Sequence, residues 1–130
     1  MGKNLPAHSV PDSLRTWFVV HFVLDFIFAV PLLLAPERVM PLIGWNAVDP
    51  ITSRLVGAAL MGIGVESLLG RKASLETYRA MLNLKIIWAA SAVVGISLGL
   101  AAGGPPAAWV FLGIFAAFLG LWGYYRNLLR

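Results

Sequence analysis

A few residues in this chain have side chains that can exchange protons, and four of them lie inside apolar stretches. His21 and Asp25 are four residues apart, a spacing that places two side chains on one face of a helix. Glu66 and Lys85 interrupt two later apolar stretches. An imidazole beside a carboxylate can relay protons, and a carboxylate within a membrane can bind a proton or a cation. Proton or cation binding is therefore one hypothesis for this group.

The same residues also have an interpretation that is only structural. A charge at the centre of a bilayer costs on the order of 3 kcal/mol or more unless it is paired or hydrated. A buried Glu66–Lys85 ion pair that fixes helix register is the favoured interpretation, because pairing is the common way to tolerate buried charge. If Lys85 reaches the head groups instead, Glu66 is left unpaired. For His21 and Asp25, a proton relay and a hydrogen-bonded pair between helices both stay open.

The elements that must position these residues are four predicted transmembrane helices. Of the 130 residues, 59% are hydrophobic and 12% are charged, whereas a soluble domain has about 25% charged residues. A bilayer core requires about 20 helical residues, and it offers no partner to unpaired backbone groups. We therefore expect an all-α integral membrane four-helix bundle, formed as a single transmembrane domain over residues 1–130. The predicted spans are 14–35, 51–69, 75–102 and 107–125.

Residues at the predicted span ends support these boundaries. Asp12 or Ser13 can cap the first helix, and Asp49 followed by Pro50 is typical of the start of the second. Gly70 is a typical stop for that second helix.

The distribution of lysine and arginine predicts the orientation of the chain. Under a four-span model, only Arg38 and Arg54 fall near the side that faces away from the two termini. The basic residues on the side of the termini are Lys3, Arg15, Arg71, Lys72, Arg79, Arg126 and Arg130. The positive-inside rule then places both termini in the cytoplasm, in a multi-pass protein of the inner (plasma) membrane. The basic residues cluster where anionic lipid head groups lie, so we expect a lipid partner and no nucleic acid.

Arg54 lies one turn into the second span, near the outer side. It can pair with Glu37 or Asp49, or contact an anionic head group of the outer leaflet. No catalytic motif is present, and the chain has no cysteine. A metal site built on His21, Asp25 and Glu66 is not expected, because the spans contain a single histidine.

Small residues recur at intervals of three or four in three of the spans. These stripes are Ser91, Gly95, Gly99 and Gly103; Ala58 and Gly62; and Gly113, Ala117 and Gly120. Small residues let helix backbones approach closely in lipid. The stripes predict either a contact between copies of the chain or packing within the bundle, and the second interpretation is favoured.

The stretch from Pro36 to Gly70 resembles the small four-span bacterial membrane proteins described as DoxX-like or of unknown function. It contains the segments PERVMPLIGW (36–45) and DPITSRLVGAALMGIG (49–64). The matching run is Arg54, Leu55, Gly57, Ala58 and Ala59. The resemblance implies a four-helix bundle in a bacterial inner membrane and, as in some relatives, association with oxidoreductase complexes. It carries over no catalytic residue and does not extend to His21, Asp25 or Lys85.

The sequence leaves three classes of function open, which we give in order of preference. The first is a small non-enzymatic protein, either an accessory subunit of a larger membrane complex or a homo-oligomer, which the short loops favour. The second is a proton-coupled carrier or channel for a small solute that uses Asp25 or Glu66. A membrane enzyme is third. The sequence does not identify a cofactor, and a quinone, a pigment or a lipid all stay open.

Overall fold

A computed structural model of the chain describes residues 9–130 and shows an all-α protein over that range. Four of its helices are long and apolar enough to cross a membrane. In chain order the helices are α1 (Asp12–Leu34), α2 (Pro36–Val39), α3 (Pro50–Leu69), α4 (Leu75–Ala101) and α5 (Ala107–Leu128). Short 3-10 turns follow α2 at Met40–Ile43 and α3 at Gly70–Lys72. The predicted spans coincide with the four long helices, and the largest difference is at the end of α5, which continues to Leu128.

The helix starts confirm one predicted cap and correct another. The Asp49 carboxylate accepts hydrogen bonds from the Thr52 hydroxyl and from the Ile51 backbone N–H, and these bonds lower the pKa of Asp49. The expectation that Asp12 or Ser13 caps α1 is wrong, because Pro11 occupies the cap position and makes no side-chain cap bond. Ser13 instead accepts a hydrogen bond from the Tyr125 hydroxyl of α5 at 2.9 Å. Lys3 lies outside the described residues.

The four long helices pack as two pairs, α1 against α3 and α4 against α5. The main apolar core lies at one end of the bundle, where α1 and α4 begin and where α3 and α5 end. We call this the terminal end, because both ends of the described chain lie there. Its buried residues are Val10, Leu14, Phe18, Tyr78, Met81, Leu82, Trp122, Tyr125 and Leu129. The other end, which we call the opposite end, leaves large side chains such as Leu98 and Trp109 exposed.

The close approach of α1 and α3 depends on glycine. A Cβ atom placed on Gly64 would lie 2.7 Å from the Asp25 Cβ, and one on Gly57 would lie 3.1 Å from the Ala29 carbonyl oxygen. No side chain other than hydrogen fits at Gly64 without moving the helices apart. The buried face of α3 consists of Gly57, Leu60, Gly64 and Ser67.

This packing predicts that two glycines of α3 respond in opposite ways to alanine. Gly64→Ala should destabilise the protein by about 1–3 kcal/mol, because the added methyl overpacks the contact with Asp25. Gly62→Ala is the matched control, since a Cβ there meets nothing within 4 Å and alanine favours the helix. Unfolding by sodium dodecyl sulfate, followed by circular dichroism in mixed micelles, measures both. Equal stabilities for the two variants would contradict the close contact between Gly64 and Asp25.

Candidate functional site

Lys85 occupies the centre of a polar cluster inside the bundle. It projects from α4 and is only 3% exposed. Its Nζ atom lies 2.8 Å from Nδ1 of His21 on α1 and donates a hydrogen bond to Oγ of Ser67 on α3, at 2.6 Å. Ser67 Oγ in turn donates to the backbone carbonyl of Ile63 at 2.7 Å. The amine therefore contacts polar groups of two neighbouring helices rather than lipid.

Aromatic rings enclose the rest of the cluster. Lys85 Nζ lies 4.9 Å from the ring centroid of Phe18 and 5.1 Å from that of Trp122. A cation over a ring face is attracted by the electron-rich ring, most strongly where water is excluded. The His21 ring makes edge contacts with Phe118 and Trp122, at centroid distances of 4.9 Å and 5.2 Å. Polar groups and rings together replace the water that a charged amine would otherwise need.

His21 and Asp25 lie on one face of α1, as their spacing predicted. Both are buried, and Asp25 Oδ2 lies 3.3 Å from His21 Nδ1. Within residues 9–130, no hydrogen-bond partner is assigned to that carboxyl oxygen. His21 Nδ1 therefore faces both a nitrogen of Lys85 and an oxygen of Asp25. One ring nitrogen can accept from the first or donate to the second, but not both at once, so the cluster has two possible proton arrangements.

Glu66 was expected to pair with Lys85, but it lies outside this cluster. It is exposed, and in the described part of the chain no carboxylate oxygen lies within 4 Å of Lys85 Nζ. The expectation that Glu66 continues an inward Ala58–Gly62 stripe is wrong, because all three residues lie on the exposed side of α3. Ser67, the next residue, takes the inward position and was missed. Its spacing from the buried Gly57, Leu60 and Gly64 was the available signal.

A shallow cavity of about 80 Å³ lies between α3 and α4 beside the cluster. Glu66, Ser67 and Lys85 contribute to its wall, together with apolar residues. It has room for about two water molecules, each of which occupies about 30 Å³. Glu66 is therefore a rim residue of this cavity rather than the ion-pair partner of Lys85. Among the described residues, no group of three or more histidine or acidic side chains could hold a metal ion.

Arg54 lies apart from the cluster, at the opposite end of the bundle. Of its predicted partners the structure shows Glu37, whose Oε1 accepts from Arg54 Nη1 at 3.0 Å. Arg54 Nε also donates to the Leu33 carbonyl near the end of α1, at 3.2 Å. Hydrogen bonds from the backbone of Glu37 and from Arg54 lower the pKa of Glu37. Arg54 thus ties α3 to the end of α1 and to α2.

Comparisons with known proteins add no identification to this geometry. No family model matches the chain, and no curated protein and no solved structure matches it.

The structure predicts different outcomes for removal of the charge of Lys85 and removal of the charge of Glu66. Lys85→Met should destabilise the fold by about 3 kcal/mol, because it removes the donor to Ser67 and leaves Asp25 without a nearby cation. Glu66→Gln, on the exposed rim, should change stability by no more than about 0.5 kcal/mol.

Unfolding in mixed micelles measures both variants. The double variant Lys85→Met, Asp25→Asn should recover part of the loss, because neither charge is then left alone in the interior. A Glu66→Gln variant as unstable as Lys85→Met would refute the assignment of Lys85 to this cluster.

Proposed function

We propose that this chain is a small non-enzymatic subunit of a bacterial inner (plasma) membrane, which works by assembling with further transmembrane helices. Those helices belong either to another protein or to another copy of the chain. The observation that carries the proposal is the outward stripe of small residues on α4. Ser91, Gly95 and Gly99 are exposed, and a Cβ on either glycine would meet nothing within 4 Å. In lipid, such a stripe is the surface on which a second helix packs closely.

The contrast with the two buried glycines of α3 supports this use of α4. Gly57 and Gly64 already serve the contact with α1, and a Cβ on either would collide with that helix. Packing within the bundle therefore accounts for those two glycines. It does not account for Gly95 or Gly99, which have open space beside them. The stripe on α4 thus fits a helix from outside the bundle.

The interior favours a subunit over an enzyme. The cavity beside Lys85 measures about 80 Å³, whereas pockets for small-molecule ligands usually measure about 300–1,000 Å³. The connections between the long helices at 70–74 and 102–106 are short, and only the connection at 35–49, which contains α2, is longer. Most of the described chain therefore lies in the four long helices. The polar groups inside the bundle mostly bond to one another.

The remaining parts of the proposal come from sequence patterns. Arg15, Arg71, Lys72, Arg79 and Arg126 all belong to the terminal end, which supports a cytoplasmic position for that end. The resemblance of residues 36–70 to DoxX-like proteins supports a bacterial membrane, with an oxidoreductase complex as the candidate partner.

Replacement of the α4 stripe by leucine tests the assembly. Gly95→Leu combined with Gly99→Leu should reduce association at least tenfold, because the added side chains hold a second helix away. Ala101→Leu is the matched control: it is also exposed, but it lies about 160° around the helix from Gly99. Native mass spectrometry of protein extracted from its membrane in mild detergent reports the associated species. A wild-type chain recovered only as a partnerless monomer would refute the proposal.

A second candidate function, proton-coupled transport of a small solute, is favoured by one observation. Asp25 Oδ2 is buried without an assigned hydrogen-bond partner in the described chain, beside a histidine nitrogen that can exchange a proton with it. A carboxylate left unpaired in this way is a typical proton-binding group of membrane carriers.

This candidate predicts proton movement that depends on Asp25. In liposomes that enclose a pH-sensitive dye, an imposed pH gradient should drive proton uptake by the wild-type protein. Asp25→Asn should abolish uptake while the helical content is retained. Glu66→Gln, which removes a carboxylate from the rim, should leave uptake unchanged. A wild-type protein that moves neither protons nor an added solute under the gradient would exclude this function without affecting the assembly proposal.

A further inference from the structure

At the terminal end of the bundle, two arginines on facing helices each donate a hydrogen bond across the α4–α5 contact. Arg79 of α4 donates from Nε to the Leu129 carbonyl, just after the end of α5, at 2.6 Å. Arg126 of α5 donates from Nε to Oδ1 of Asn83 on α4, at 2.8 Å. The helices run antiparallel, so the two contacts lie side by side along one groove. Each guanidinium is thus fixed in position by the helix opposite.

The Nη atoms of both guanidinium groups have no hydrogen-bond partner within residues 9–130. A guanidinium has five N–H donors, and each of these two arginines uses the one on Nε. No carboxylate in the described chain lies within 4 Å of either group, and that includes exposed Glu76. Arg71 differs, because its Nη1 donates to the Leu68 carbonyl of its own chain. Arg79 and Arg126 therefore present unoccupied, oriented donors to whatever lies beside the groove.

The two hydrogen-bonded contacts lie about one helical turn apart along α4. Asn83, which holds Arg126, is one helical turn beyond Arg79, or about 6 Å along α4. A phosphate has several acceptor oxygens, and planar guanidinium forks bind it in a bidentate manner. Two forks about one turn apart can contact different oxygens of the same group.

We propose that the groove between Arg79 and Arg126 binds the phosphate of an anionic membrane phospholipid. The position favours a lipid over a soluble phosphate, because Arg79 lies near the start of α4 and Arg126 near the end of α5. Both helices are long and apolar enough to cross a membrane, so the two arginines lie at the depth of the lipid head groups. The exposed Arg130 and Lys72 of the same end add positive charge, which disfavours a choline head group. The inference is independent of the assembly proposal, since the α4 stripe lies toward the opposite end.

Native mass spectrometry in mild detergent tests the site with phosphatidylglycerol and phosphatidylcholine as the probes. The wild-type protein should retain one phosphatidylglycerol under conditions that remove phosphatidylcholine. Arg126→Lys keeps the charge but loses the planar fork, and Asn83→Ala keeps both arginines but removes the acceptor that holds Arg126. Each should weaken phosphatidylglycerol binding about tenfold.

Lys72→Gln is the matched control, because it removes an exposed positive charge from the same end without touching the groove. It should change binding by less than about twofold. Circular dichroism confirms that each variant is folded. If Arg126→Lys and Asn83→Ala bind like the wild type, or if Lys72→Gln weakens binding as much as they do, the site is refuted and only a general positive surface is left.

Competition with inorganic phosphate separates the two sources of the ligand. Phosphatidylglycerol that stays bound at millimolar phosphate supports the lipid assignment. Its displacement at that concentration would overturn that assignment, because a soluble phosphate would then occupy the groove without help from the acyl chains.

Discussion

The interaction on which this bundle depends is the accommodation of one amine in an apolar interior. Lys85 extends from α4, and its Nζ atom contacts His21 of α1 and Ser67 of α3. Phe18 of α1 and Trp122 of α5 supply rings close to the same atom. All four long helices therefore contribute to a single site. Because an unsolvated amine tolerates little displacement from its partners, this site constrains how the helices can rotate and slide.

That constraint is coupled to the steric contact between α1 and α3. Ser67 reaches Lys85 only if α3 presents the face that contains Gly64, and that face lets α3 approach Asp25 closely. The same approach places Asp25 against His21 and away from solvent. Asp25 is thus buried as a consequence of tight helix packing. The helix packing and the polar cluster share the same residues, so a change in one alters the other.

The sequence was sufficient to predict the spans, because each one is a long apolar run that ends in a proline, a glycine or a charged segment. It also predicted that His21 and Asp25 share a face, since helical spacing alone decides that relation. The rotation of α3 could not be predicted in the same way. Nearly every face of a membrane helix is apolar, so hydropathy does not distinguish Glu66 from Ser67 as the inward residue. The choice depends on which small residues meet α1, and that requires the facing helix. The cap of α1 was missed for a similar reason, because Ser13 bonds to Tyr125 from α5 rather than to its own helix.

The two proposed binding surfaces lie at different ends of the bundle, which differ in how well the helices are packed. Gly95 and Gly99 lie 10 and 14 residues beyond Lys85 on α4, which is about 15 Å and 21 Å along the helix. A helix that docks on this stripe would contact the opposite end, where the bundle leaves large apolar side chains exposed. The groove of Arg79 and Arg126 belongs to the terminal end, beside the main apolar core. A bound phosphate there would join α4 to α5 where these helices are already well packed. Assembly and lipid binding can therefore occur together, because neither requires the helices around Lys85 to move.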